Sequence, residues 1–280
     1  SGKYVFTDHT NQTDWEYGWS FLLSMIACIW TIGAFDSAVH TSEEATNAQE
    51  SAPKAICFSI GLCGILGWAV MAAVASAMPK DYSSIINSWT GQPMAGVIFN
   101  ALGKKWTLGI ISLMVVAQFG MGLSLLFAAS RQMFAFARDD ALPFSRYAKI
   151  VIKSTGVPFF AGCYAVIIAW ALTCLVLING TAALALFSLG ASSNGLAWLL
   201  PIVCKFYGEF AEPGKWKPGP FYLGRKLSIM NNFISIVWLT FVVFVLAMLP
   251  TTKQVNQTTM NYTVVITCGF WIMAIIVLYT

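Results

Sequence analysis

The chain has 280 residues, 58% of them hydrophobic and only 10% charged, with a formal net charge of +4. Soluble domains carry about 25% charged residues, so this composition excludes a soluble globular protein and identifies an integral membrane protein, with the lipid bilayer as its solvent. The basic residues lie in loops between apolar runs, where they report topology and give no footing for a nucleic-acid partner.

Residues 1–16 are polar and include the glycosylation sequon at Asn11. The first apolar run, 17–40, is long enough to cross a bilayer, which takes roughly 20 helical residues. It contains Trp30-Thr31-Ile32-Gly33-Ala34-Phe35-Asp36-Ser37. An acid at that depth is costly, and by default marks a functional site facing a cavity. Glycine followed by Asp and Ser predicts a helix that stops near Gly33 and restarts, with Asp36 or Ser37 as the new cap. Such a break frees carbonyls at one end and N–H groups at the other, which suits a polar solute at the midplane. The plainer alternative is a kink with Asp36 as a buried cap.

The segment 41–54 is polar and acidic, with Glu43 and Glu44 adjacent. A second span covers 53–78, and the loop 79–105 carries apolar residues at helical spacing, which predicts short surface helices. Span three covers 106–136 and projects past the bilayer through Arg131 until Pro143 ends it. The 51 residues from 154 to 204 contain no charge, which is enough for two spans, 157–178 and 182–204, turned at Asn179-Gly180. Span five holds Gly190-Ala191-Ser192-Ser193-Asn194-Gly195, which permits close helix approach or local unwinding. Spans six and seven are 227–249 and 264–280. All seven cysteines fall in predicted spans, and no metal-ligand spacing or nucleophile–base constellation appears. Neither catalysis nor a metal or other cofactor is therefore expected.

Alternate loops fall into two sets, one with eleven Lys and Arg and the other with five. The positive-inside rule places 41–54, 131–156 and 205–226 in the cytoplasm. The sequons at Asn11, Asn179, Asn256 and Asn261 then all lie outside, as glycan acceptors must. Asn11, Asn256 and Asn261 are the candidates, Asn179 being too close to the membrane. Residue 1 is expected outside or in a lumen and residue 280 in the cytoplasm. The chain opens without Met and closes inside an apolar run, so it reads as a fragment of a longer protein.

The stretch from Trp30 through Ser37 to His40, Glu43 and Glu44 resembles the sixth helix of fungal amino acid/choline permeases of the amino acid–polyamine–organocation superfamily. Phe127-Ala128-Ala129-Ser130-Arg131-Gln132 is similar to that family's eighth helix. Ser193-Asn194-Gly195-Leu196-Ala197-Trp198 and Pro218-Gly219-Pro220-Phe221-Tyr222-Leu223-Gly224 resemble its tenth helix and the loop after it. Within the family, the 4-aminobutyrate permeases are most similar. The resemblance implies an all-α, twelve-helix fold of the leucine-transporter kind. This chain would hold helices six to ten, the second inverted repeat, plus helices eleven and twelve. The partner it then needs is the missing set of five N-terminal helices, and the fragment alone is not expected to transport.

Residue reading and resemblance lead to one expected function, secondary uptake of a small amino acid or amine in the plasma or vacuolar membrane. Choline, polyamine or thiamine-type cations, or a nutrient sensor that binds without transport, are the alternatives. A seven-helix receptor lacks its outer cysteine pair, and a channel its filter motif. The expected substrate site is Trp30, Thr31, Ile32, Gly33, Ala34, Phe35 and Asp36, with Gln118 and Asn194 as further polar candidates. Trp30 is either an apolar or cation–π wall or plain interhelical packing. For Gln118, Ser192, Ser193 and Asn194 the alternative is interhelical hydrogen bonding. Asp36, His40 and Glu44 follow at i, i+4 steps, a line that could carry a proton. Glu43 and Glu44 could instead form an inner gate with Arg131 or Arg138, or simply be solvated at the rim.

Overall fold

A backbone crossing lipid must satisfy its own polar groups, and a helix does so within one segment. The computed structural model accordingly shows helices and one isolated bridge, Ile152 to Val157, among the residues it describes: 11, 13–79, 85, 91–154, 156–177, 180–211, 216–250, 252–256 and 260–279. In chain order these are α1 (Tyr17–Thr31), α2 (Ser37–His40), a 3-10 turn (Ser42–Glu44), α3 (Ala48–Ala77), α4 (Pro93–Arg138), α5 (Ser145–Ala148), α6 (Phe159–Val176), α7 (Gly180–Ala211), α8 (Arg225–Phe241) continuing into a π-turn (Val242–Leu246), and α9 (Thr263–Tyr279). Among the described residues, four stretches are long and apolar enough to cross a membrane: α3, α4, Leu186–Ala211 of α7, and Arg225–Leu246.

Large apolar side chains along these helices face outward, as in α4, where Leu113, Val116 and Phe119 are exposed. Lipid is as apolar as a protein core, so such faces need no cover, and packing is left to small residues and close backbone approach. The Gly190–Gly195 stretch does this without unwinding, since α7 runs through it unbroken. A Cβ at Gly190 would lie 3.0 Å from the Trp30 ring, and one at Gly195 would lie 2.5 Å from Val243 Cγ2. Val243 and Leu246 of the π-turn are fully buried there.

Several boundaries differ from the expectation. Ahead of span three a short helix from Pro93 is set off from the span by a turn at Gly103 (φ 77°), a conformation that glycine adopts without a Cβ penalty, and most of 79–90 lies outside the described residues. At the far end of α4 Asp140 takes φ 54° and Ala141 N–H reaches the Phe136 carbonyl at 3.0 Å, a left-handed helix stop just ahead of Pro143. The largest difference is α7, which continues seven residues past 204 to Ala211 and carries Lys205 and Glu209 into the helix. Asn179, the predicted turn, lies outside the described residues.

Two pairs of contacts each join segments of the same loop set. Arg131 and Arg138 reach Glu44 and Glu43, joining two segments assigned inside. Lys253 N–H bonds the Thr13 carbonyl at 3.2 Å and Trp15 Nε1 bonds the Pro250 carbonyl at 3.2 Å, joining two segments assigned outside.

Candidate functional site

Helical geometry ends at Thr31 and resumes at Ser37. Ile32 and Gly33 close the last turn through N–H bonds to the Cys28 and Trp30 carbonyls, at 3.2 and 3.3 Å. The chain then turns at Ala34, which takes φ 61°. This left-handed conformation costs a residue with a Cβ roughly 1 kcal/mol. The positive φ thus falls on Ala34 and not on Gly33, where an added Cβ would sit 3.4 Å from the Ile29 and Trp30 carbonyl oxygens. Among the described residues, no hydrogen bond reaches the carbonyls of Thr31, Ile32 and Gly33 or the N–H groups of Ala34, Phe35 and Asp36. Three acceptors and three donors therefore stand open over six residues, at the level where they are costliest to leave unpaired.

The expected cap is absent. Asp36 occupies the N-cap position of α2 but makes no side-chain capping bond, and the Ser37 hydroxyl donates back to the Ala34 carbonyl at 2.7 Å. The Asp36 carboxylate turns instead to His40, with Oδ2 3.7 Å from Nε2 and both side chains about three-quarters buried. With only four residues, α2 has little macrodipole of its own. An anion placed at this break would therefore meet only discrete N–H groups.

Two aromatic contacts fasten the break to α7. The Trp30 ring meets Phe187 edge-on at 5.3 Å and lies on Gly190, and Phe35 stacks on Trp198 at 4.4 Å. Trp30 thus packs against α7 while remaining 44% exposed. Trp198 Nε1 and Ser192 Oγ are buried with no hydrogen-bond partner, so the buried hydroxyl of the small-residue stretch is Ser192. Asn194 is exposed, and Ser193 faces Thr267 and Trp271 of α9 across another cavity.

Inside the break, a cavity of about 410 Å³ separates α2 from α4, lined by Ser37, Ala38, Thr41, Leu123, Ser124, Phe127 and Ala128. The wall of α4 opposite α2 is therefore 123–128. Gln118 is exposed and does not line this cavity. One turn further along α4, the Arg131 guanidinium lies 3.6 Å over the Phe127 ring and grips Glu44 through Nε and a terminal nitrogen, at 3.1 and 3.3 Å. Arg138 holds Glu43 at 3.4 Å. The i, i+4 line from Asp36 stops at His40, because the chain leaves the α-helix at Thr41 and Glu44 turns toward α4.

One cluster was missed in the sequence. Glu209 is 2% exposed. Its Oε1 accepts from the Tyr222 hydroxyl at 2.6 Å, and its Oε2 accepts from Ser228 Oγ at 2.8 Å and Asn232 Nδ2 at 3.3 Å. The signal was there: Glu209 stands four residues after Lys205 in a stretch otherwise rich in Lys and Arg. The Tyr222 hydroxyl is held above its ordinary 10.0 by partial burial and by the Glu209 carboxylate, with Arg225 opposing.

The three sequons within the described residues are not equivalent. Asn261 Nδ2 donates to the Ala247 and Leu249 carbonyls at 2.8 and 3.0 Å, and its Oδ1 accepts the Thr263 N–H. This amide ties α9 to the end of α8, and a glycan there would break both donor bonds. Asn11 donates to the Trp15 carbonyl and Asn256 is exposed. The described cysteines are all free thiols.

A helix interrupted within the bilayer, with open backbone groups beside a cavity, is the architecture of secondary carriers. The chain belongs to the amino acid permease family, which matches residues 2–270. A GABA-specific permease of Saccharomyces cerevisiae is 40% identical over 275 residues, 98% of this chain and 48% of its own length. An uncharacterized amino-acid permease of Schizosaccharomyces pombe is 37% identical over 280 residues, 100% of this chain and 49% of its own. Amino-acid permease 2 of Neurospora crassa is 29% identical over 288 residues, 99% and 50% respectively. These relatives are named as permeases and not as enzymes. The chain spans about half the length of the curated relatives it matches. No solved structure matches.

Proposed function

We propose that the protein to which this chain belongs is a secondary transporter that takes up a small zwitterionic amino acid, with 4-aminobutyrate as first candidate, by alternating access around the 32–36 break. The observation that carries this is the break itself, whose open backbone groups stand next to a cavity that Ser37, Ala38 and Thr41 share with α4. The open N–H groups of Ala34, Phe35 and Asp36 suit a carboxylate. The carbonyls of Thr31, Ile32 and Gly33, with the Asp36 carboxylate, suit an ammonium. Substrate binding would replace water on groups that the fold leaves unpaired. 4-Aminobutyrate is preferred because the 40% identical relative is named for it.

Asp36 and His40 are the proposed proton-coupling pair, since an acid and an imidazole stand 3.7 Å apart beside the break, both about three-quarters buried. Glu44–Arg131 and Glu43–Arg138 form the proposed inner gate. These pairs are exposed on the carboxylate side, and such pairs are worth about 0–1 kcal/mol, weak enough to open in each cycle. Uptake of radiolabelled 4-aminobutyrate by cells expressing the full-length protein, with and without a proton uncoupler, tests the reading. Competition by choline, polyamines and thiamine decides the substrate class. Binding without flux would replace the carrier with a sensor, and uptake indifferent to the uncoupler would remove proton coupling.

A further inference from the structure

A second cavity on α4 differs in character from the one beside the break. It is a groove between α4 and α6 of about 560 Å³, walled by Leu126, Phe127, Val157, Phe159, Gly162 and Val166 among others. Its polar wall residues are already engaged. The Ser130 hydroxyl donates to the Phe127 carbonyl at 2.7 Å, and the Arg131 guanidinium holds Glu44. Cys163 adds only a weakly polar thiol. A resident water needs about 2–4 polar partners, and a zwitterion would give up its hydration for walls that return nothing. The groove therefore fits hydrocarbon. Val166 and Ile167 on its rim are exposed, so it opens sideways.

The connector between α4 and α6 adds charge beside this groove. Its short helix α5 packs on both α4 and α6, burying Ser145 and Ala148 and leaving Arg146 and Tyr147 exposed. Phe144 takes φ 60°, uncommon for a bulky residue, and is 74% exposed. Ile152 N–H bonds the Val157 carbonyl at 3.2 Å, so Lys153 stands one residue from the pairing partner of a groove-lining side chain. The acids at this end are taken: Asp139 meets Arg138 at 3.9 Å and Asp140 meets Lys149 at 2.8 Å. Among the described residues, Arg146 and Lys153 have no ion-pair partner. Exposed Phe144, Tyr147 and Ile150 interleaved with uncompensated basic residues form the pattern of a segment lying on a negatively charged bilayer surface.

We propose that the α4–α6 groove and the connector 144–153 together bind one anionic phospholipid of the cytoplasmic leaflet, the side to which the positive-inside rule assigns 131–156. One acyl chain lies in the groove, and the headgroup meets Arg146 and Lys153. Each basic residue near an anionic leaflet is worth about fivefold in binding. Leu123 and Phe127 line both this groove and the cavity beside α2, so a chain in the groove would brace the wall that the two share. The site itself does not depend on the substrate or on the 32–36 break.

Native mass spectrometry of the full-length protein, titrated with phosphatidylserine or with phosphatidylcholine of the same chains, tests it. One phosphatidylserine is expected to bind saturably, about tenfold more tightly than phosphatidylcholine. Arg146→Gln with Lys153→Gln should remove that preference, while Val166→Trp on the groove's rim should weaken both lipids alike. Phosphatidylserine carrying a diazirine on its acyl chain should label 123–131 or 157–167. Equal binding of the two lipids by wild type overturns the proposal, as does a preference that survives the double substitution. Labelling confined to other segments overturns it too, because another part of the full-length protein then fills the groove. Displacement by glycerophosphoserine alone would make this a site for a soluble anion and counts against the lipid. Should Val166→Trp not fold, the labelled segment decides in its place.

Discussion

Glu44 and Glu209 are held in opposite ways. Glu44 is 57% exposed and meets a full countercharge, Arg131. Glu209 is buried and meets three dipoles. Water screens the first pair, so it forms and breaks at little cost. The second is buried away from bulk solvent, so removing the acid strands three donors. A gate needs the first kind of contact, and a joint between α7, α8 and their connector needs the second. The break at 32–36 is a third case, in which open backbone groups have no hydrogen-bond partner among the described residues.

The largest effect is expected at the break. Asp36→Asn should lower uptake on the order of a hundredfold, equivalent to about 2.7 kcal/mol in the transport barrier, with surface expression unchanged. Unaltered uptake would take Asp36 out of the mechanism and leave the two inner clusters to explain function. Next, Glu209→Ala should destabilise by about 3 kcal/mol, since buried unsatisfied polar groups cost about 1–3 kcal/mol each. Thermal unfolding in detergent checks this, and a shift no larger than that of Glu44→Ala would erase the contrast between the two acids. Gly195→Ala should cost about 1–3 kcal/mol by overpacking against Val243, read in the same assay.

Smaller effects fall on the gate. Glu44→Arg or Arg131→Glu alone should change uptake by about fivefold or less, in line with about 1 kcal/mol for an exposed pair, and the double swap should restore it. Failure of the swap would make Arg131 a packing residue on Phe127. The smallest effect is at Tyr222. Its folded-state ionisation lies above its ordinary 10.0, so its contribution to stability is fully present below that value and is lost as pH rises through the higher folded value. Melting curves of wild type and Tyr222→Phe should therefore run parallel at neutral pH and converge in strong alkali. Curves parallel throughout would mean that Tyr222 is not held by Glu209.

Much of this was legible before any coordinates. The apolar runs read directly as helices because lipid imposes a one-dimensional rule on length and charge. Gly33, Asp36 and Ser37 marked where a helix would stop and restart. The details of the break were not legible. Which residue takes the positive φ depends on how α1 packs on α7 through Trp30 and Gly190, and that choice fell on Ala34. Gln118 and Asn194 were chosen for polarity within apolar runs, but polarity does not say which way a helix faces, and both are exposed.

The sequence by itself determined the helical class, the membrane setting and the family, because each follows from composition, local pattern or motif. Tertiary structure alone decided which acids meet which partners. Glu44 finds Arg131 across 87 positions, and Glu209 becomes a buried acceptor only because α8 and the connector fold back over it. Charge pairing and burial are properties of elements that meet in space, and no local pattern along the chain encodes that meeting.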